Sequence, residues 1–324
     1  AFEINNIEIS KPFEINFDKN KVIDEGFYSA FLKLISLITN STDQKKVNKT
    51  KLNRIKGMVE TFSIKEEKFI DEIYYVNLGV SFNKKKVFNY LEEKNIFPSI
   101  PLEKKILFIP VIIDESKKDL LLFSNNKIFK NWNETSENNH LIQYILPTED
   151  LEDINLIKKK FESIENYDFN EIIEKYNLKD SIIALIFKDK KQLRVLSRIN
   201  ILGNTVLKNQ TFLYNNINNE EQVKIIIKDL KLVYEDYWKK LNQINTSIKL
   251  ILNIKTSNLD NEKILRFEKF LDQTDLIYDY NISKFDKNFV YYQIIFNGTP
   301  DNFLKSMKNE SYNFNTQNKI WILK

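Results

Sequence analysis

Cysteine is absent from this chain and histidine occurs once in 324 residues. Without cysteine there is no thiolate nucleophile, disulfide, iron–sulfur ligation or cysteine-based zinc site, and one histidine cannot supply a multi-histidine metal centre. Any Ser-His-Asp arrangement would have to pass through His140. That residue closes the polar run Asn131-Trp132-Asn133-Glu134-Thr135-Ser136-Glu137-Asn138-Asn139-His140, which reads as a surface loop carrying a solvated histidine. Glycine is also scarce, with five residues. Gly26, Gly57, Gly79, Gly203 and Gly298 form no phosphate-cradling cluster, and no calcium loop with alternating oxygen ligands around a central glycine is present. No catalytic, cofactor-binding or metal-ligating residue is assigned, and no cofactor is expected.

Arginine is nearly missing as well: Arg54, Arg194, Arg198 and Arg266 are all there is. Arginine is the preferred residue for bidentate contacts to bases and phosphates, so its scarcity argues against nucleic acid as a partner. The net charge of +4, from 49 basic and 45 acidic residues, gives little long-range field for a chain of this size. No apolar run approaches the ~18 residues of a membrane span, so any membrane association would be peripheral or through a partner. The chain opens with Ala1-Phe2-Glu3-Ile4, and its methionines are Met58 and Met307. A small first residue suits the product of signal peptidase, which leads us to expect an exported protein whose signal peptide is cleaved before Ala1.

What is present is enough apolar surface for substantial cores, 42% of residues with 13% aromatic, and three modules are expected. Residues 1–97 read as a small α+β domain. It has a strand through Ile7 and Ile9, an amphipathic helix from Lys21 to Thr39, a short helix through Leu52 and Ile55, a β-segment from Glu60 to Phe82 and a helix from Lys84 to Glu93. Pro98 and Pro101 flank the break. Residues 98–245 read as a central α/β domain that opens with the apolar strand Ile106 to Ile113, continues with strands Ser181–Phe187 and Leu193–Leu202 around the charged turn Lys188-Asp189-Lys190-Lys191, and closes with a long helix from Glu221 to Asn242. That helix is expected to bury Ile226, Leu230, Val233, Tyr237 and Leu241. Residues 246–324 alternate as βαββαβ, the split βαβ of a ferredoxin-like fold.

Read in this order, the chain resembles domain-of-unknown-function family 2066, exported proteins of Gram-negative bacteria. The resemblance rests on Glu25-Gly26-Phe27-Tyr28-Ser29-Ala30, on Val59-Glu60-Thr61-Phe62-Ser63-Ile64 followed by Tyr75-Val76-Asn77-Leu78-Gly79-Val80-Ser81-Phe82, and on Leu107-Phe108-Ile109-Pro110-Val111. Trp132, Lys175-Tyr176-Asn177-Leu178-Lys179-Asp180, Trp238-Lys239 and Ile294-Ile295-Phe296-Asn297-Gly298-Thr299-Pro300 extend it. Similar modules occur in the flagellar assembly protein T and in the amino-terminal domain of the Tol-Pal translocation protein B. The resemblance implies a periplasmic interaction protein and supplies no active site.

Two surfaces stand out as candidates. Phe123, Phe129 and Trp132 lie in a long connection after the first strand of the central module, where aromatics often anchor a partner. Lys45, Lys46, Lys49, Lys51, Arg54 and Lys56 fall in one stretch without an acid and could meet anionic lipid or another polyanion. The acidic groups Glu149, Asp150, Glu152 and Asp153, or Glu162 with Glu165, would be needed for a paired-carboxylate mechanism. The leading expectation is a non-enzymatic cell-envelope protein of the periplasm that works through protein–protein contact or as a scaffold. A binding module for a small ligand or glycan at the aromatic surface is the alternative, and a cofactor-free carboxylate hydrolase the third reading.

Overall fold

The computed structural model describes residues 1–134, 140–189, 192–213 and 217–324. Thr135, Ser136, Glu137, Asn138 and Asn139 of the polar run, and Lys190 and Lys191 of the charged turn, lie outside the described residues. The protein is α+β, with three separate sheets. Where three modules were expected, the chain divides into two compact units: Ala1–Pro101 together with Lys239–Lys324, and Leu102–Trp238.

The first unit begins with β1 (Phe2–Pro12), α1 (Lys19–Ile38), α2 (Ser41–Val47), α3 (Leu52–Met58), β2 (Val59–Ile70), β3 (Ile73–Phe82) and α4 (Lys84–Glu93). The three strands pair antiparallel in the order β1-β3-β2. Asp18 starts α1 by accepting a hydrogen bond from the Asn20 amide at 2.9 Å, which satisfies one of the donors that a helix start leaves open. Val22, Phe27, Ala30, Phe31 and Leu34 of α1 then share one core with Ile4, Ile7, Val76, Leu78 and Val80 of the strands. The helix approaches closely because residue 26 is glycine. A β-carbon there would lie 2.3 Å from Leu78 Cδ1.

The second unit contains β4 (Lys104–Asp114), β5 (Asp119–Leu121), α5 (Lys127–Asn131), β6 (Ile142–Ile145), α6 (Leu151–Lys159), α7 (Asn170–Ile173), β7 (Ser181–Lys188), β8 (Leu193–Ile201), β9 (Asn204–Phe212) and α8 (Glu220–Leu241). β4 and β7 pair parallel, β7-β8-β9 antiparallel, and β5 and β6 share the other side of β4. The stretch read as one long connection thus holds β5, α5 and β6, elements too short to imprint a period on the sequence. The face of α8 also differs from expectation. Val223, Ile226, Ile227, Leu230, Tyr234 and Trp238 are buried, together with Lys231 and Glu235, whereas Leu241 is exposed. The hydropathy pattern missed this stripe because charged residues sit inside it.

The first unit is completed by β10 (Leu250–Ser257), α9 (Asn261–Gln273), β11 (Ile277–Phe285), β12 (Phe289–Phe296), α10 (Pro300–Asn309), β13 (Phe314–Asn315) and β14 (Trp321–Leu323), in sheet order β11-β12-β10-β14-β13. The ferredoxin-like expectation needs amendment at its end. A crossover from β12 through α10 delivers a strand antiparallel to β10, and β13 has that direction, but it lies at the sheet edge. The chain then reverses, and β14 enters beside β10 in parallel. This segment has its own core around Ile254, Phe267, Tyr292, Phe296 and Phe303, and it meets α4 through polar contacts. Lys84 Nζ donates to the Thr274 carbonyl at 2.5 Å, and the Tyr278 hydroxyl to Asn89 Oδ1 at 2.7 Å.

Alanine normally favours a helix interior over glycine by about 1 kcal/mol. Gly26→Ala should nevertheless destabilise the protein by about 1–3 kcal/mol, since the added methyl has no room against Leu78. Chemical denaturation of the variant checks this, and a gain in stability would show that α1 can retreat from the sheet.

Candidate interaction surface

Helices cover one face of the β1-β3-β2 sheet, so alternate residues of each strand point to the opposite face. Along β2 the consequence is extreme: Val59 is half-buried and every other residue of the 12 is exposed. Among the described residues, β2 pairs only with β3. Its outer edge therefore presents unpaired backbone groups in two regular runs, Thr61–Ile64 and Glu66–Ile70, separated by a register shift at Lys65.

The tip of the β2-β3 hairpin adds an apolar surface. Phe13 lies 4.7 Å from Phe69 and 4.9 Å from Phe17 between ring centroids, and Phe17 lies 4.9 Å from Tyr74. The row runs from the buried Tyr74 out to Phe13 and Phe69, each about half exposed, with Ile15 fully exposed beside Phe13 in sequence and Ile70 beside Phe69. Large apolar groups are thus held in water by neighbours that fix their positions. On the uncovered face, Glu8, Ser10, Glu66, Lys68, Tyr75 and Asn77 line a concavity of about 520 Å³. Asn77 Oδ1 is buried there and has no hydrogen-bond partner among the described residues.

One carboxylate ties the hairpin to α1. Glu67 accepts hydrogen bonds from Lys19 Nζ and from the Tyr74 hydroxyl, both at 2.6 Å. The Lys19 hydrogen bond, then that of Tyr74, holds the Glu67 carboxyl below its ordinary range. Burial, and secondarily Glu67, pushes the Tyr74 phenol up to about 12.

The aromatic surface expected from sequence is not a surface. Trp132 is wholly buried, stacked on Phe108 at 3.8 Å with Tyr144 edge-on at 5.2 Å. Phe123 is buried against the opposite face of β4 and meets the partly buried Phe129 at 5.5 Å. α5 and its C-cap make the difference, because they carry Ile128 and Trp132, four residues apart, into the core. That i, i+4 spacing was the readable signal.

All six cations of the basic stretch are exposed, but carboxylates face three of them. Lys46 pairs with Asp43 at 2.6 Å, Arg54 with Glu93 at 2.6 and 2.7 Å, and Lys56 with Asp24 at 2.8 Å. Lys45, Lys49 and Lys51 remain, which leaves half the charge that the sequence shows.

His140 is half-buried rather than solvated, with Nδ1 3.8 Å from Glu235 Oε1. Glu235 also accepts the backbone amides of Leu141 and Ile142, at 3.2 and 2.8 Å. Three of the six acids named for a carboxylate mechanism are engaged in a cap or ion pairs. Asp150 caps α6, Asp153 and Asp150 receive Lys175 at 2.6 and 3.4 Å, and Glu165 receives Arg194 at 3.2 Å. Among the described residues, no group of three or more His, Asp or Glu is placed to hold a metal, and no helix is long and apolar enough to cross a membrane. In comparisons with known proteins, no family model and no curated protein matches the chain.

Trp132→Ala should cost about 3–5 kcal/mol in denaturant unfolding. Trp132→Phe should cost much less, because Trp132 Nε1 has no hydrogen-bond partner among the described residues; equal losses would show that the indole nitrogen is bonded. Glu67 has a lowered folded pKa, so its contribution is present above the ordinary glutamate range and is lost as the pH falls through the folded value. Glu67→Gln should remove that part of the acid destabilisation, read as hydrogen-exchange protection of the hairpin against pH.

Proposed function

We propose that the protein is a non-enzymatic interaction module of the cell envelope, and that it binds an extended segment of a partner protein along the outer edge of β2. The exposure of β2 along its length carries this reading. An added strand would satisfy the unpaired amides and carbonyls of Glu66–Ile70, with Phe13, Ile15 and Phe69 receiving side chains on one face and Ile70 and Tyr75 on the other. The ring row from Tyr74 to Phe69 favours protein over a small polar ligand, since rings already fixed in place lose little entropy on binding. The periplasmic address and kinship with domain-of-unknown-function family 2066 belong to the same proposal and rest on the residues quoted for the resemblance.

Ile15→Ser combined with Phe69→Ser tests the surface without touching the core. The double variant should melt within a few degrees of the parent, as exposed substitutions do. It should also lose at least tenfold in affinity for the protein that the parent retains from an envelope fraction of its source cells. Undiminished retention by the double variant would sink the reading.

A further inference from the structure

We infer that the segment received by β2 is cationic, with lysine or arginine alternating with apolar residues; this rests on the docking reading above. The reason is a segregation of charge that the net value of the chain hides. Residues 1–18 and 59–82, which make up the β1-β3-β2 sheet and the loop into α1, contain nine acids and three lysines, hence a net −6 in a chain of net +4.

Much of this negative charge is unanswered. Glu66 pairs with Lys68 and Glu67 with Lys19, and Asp18 caps α1. Glu3, Glu8, Glu14, Glu60, Asp71 and Glu72 are exposed and have no ion-pair partner among the described residues. Four of them lie around the apolar positions: Glu14 lies between Phe13 and Ile15, Asp71 and Glu72 follow Ile70, and Glu8 lines the concavity with Ile70 and Tyr75, whereas Glu3 and Glu60 sit at the other end of the sheet. The unpartnered Asn77 Oδ1 in that concavity is an acceptor, and it also calls for a donor.

The same charge disfavours other occupants. An isologous dimer through β2 would bring two sheets of net −6 together, which their mutual repulsion opposes. An anionic membrane would be repelled for the same reason. A segment with cations at alternate positions has apolar side chains for Phe69 and Ile15 and opposite charge for the acids around them.

The test uses the full chain and two fluorescein-labelled peptides of about ten residues with identical valine and isoleucine positions, the intervening positions being lysine in one and glutamate in the other. Fluorescence anisotropy should show the lysine peptide binding at least tenfold more tightly at low salt, the gap narrowing as salt screens the surface. Bound lysine peptide should slow hydrogen exchange of the Glu66–Ile70 amides, and Glu8→Gln with Glu14→Gln should weaken it at least threefold without a change in melting temperature. Equal binding of both peptides with β2 protected would overturn the charge inference and leave strand docking standing. Binding of neither peptide, with β2 unprotected throughout, would remove both. Salt-sensitive self-association through β2, or preferential capture by phosphatidylglycerol vesicles, would overturn the cationic segment in favour of a second copy or a lipid surface.

Discussion

Helices pack on one face of the β1-β3-β2 sheet, and that asymmetry decides what the rest of the surface can do. A three-stranded sheet buried on one side must leave the other side and two edges to water or to a partner, and every edge amide and carbonyl needs one or the other. β1 is partly protected: its pairing with β3 shifts register between Ile4 and Ile7, and Lys33 Nζ donates to the Asn5 carbonyl at 3.1 Å. β2 carries charges at Lys65 and Lys68, the usual defence of an edge against indiscriminate pairing, yet it keeps Phe62, Ile64, Phe69 and Ile70 exposed around them. Such an edge resists random association while remaining able to accept a strand that matches it.

The closeness of α1 sets this geometry. Gly26 lets the helix backbone approach Leu78 in the middle strand, so Phe27 can reach β2 and stack edge-on against Phe62 at 5.1 Å. Glu67 makes a second tie farther along the hairpin. The hairpin is thereby tied to α1 at two points even though β2 contributes little to the core, and a pre-organised edge gives up less entropy on binding than a loop would.

Elements with a clear period were legible in the sequence: α1, the β2-β3 pair, β4, β7, β8 and the strand-helix alternation after Leu250. Two kinds of feature were not. Burial of Lys231 and Glu235 in α8 breaks the rule that charge faces water, and it depends on groups brought from elsewhere, such as the rings of Trp132 and Tyr144 beneath Lys231 Nζ at 5.4 and 5.8 Å. The neutralisation of Arg54 and Lys56 likewise comes from Glu93 and Asp24, 39 and 32 residues away in sequence. Trp132 was misplaced because a polar run follows it, whereas its neighbour four residues earlier, Ile128, indicated the core. The exposed edge of β2 was half legible. The alternation of β2 was visible, but whether another element covers that edge is a property of the sheet order.

The hairpin tip shows the cost at which the acidic surface is kept. Ile70 and Ile73 pair across a two-residue turn in which Asp71 and Glu72 both take positive φ, 49° and 59°. Asn-Gly meets that geometry with least strain, and glutamate in the left-handed region costs about 1–2 kcal/mol. Stability alone would favour glycine at position 72. Glutamate there instead places an unpaired carboxylate beside Asp71 at the end of the exposed edge, next to Phe69 and Ile70, where it adds to the field that any incoming strand meets first. The strain and the charge fall at the same two residues, which is what a turn shaped by recognition as well as by folding requires.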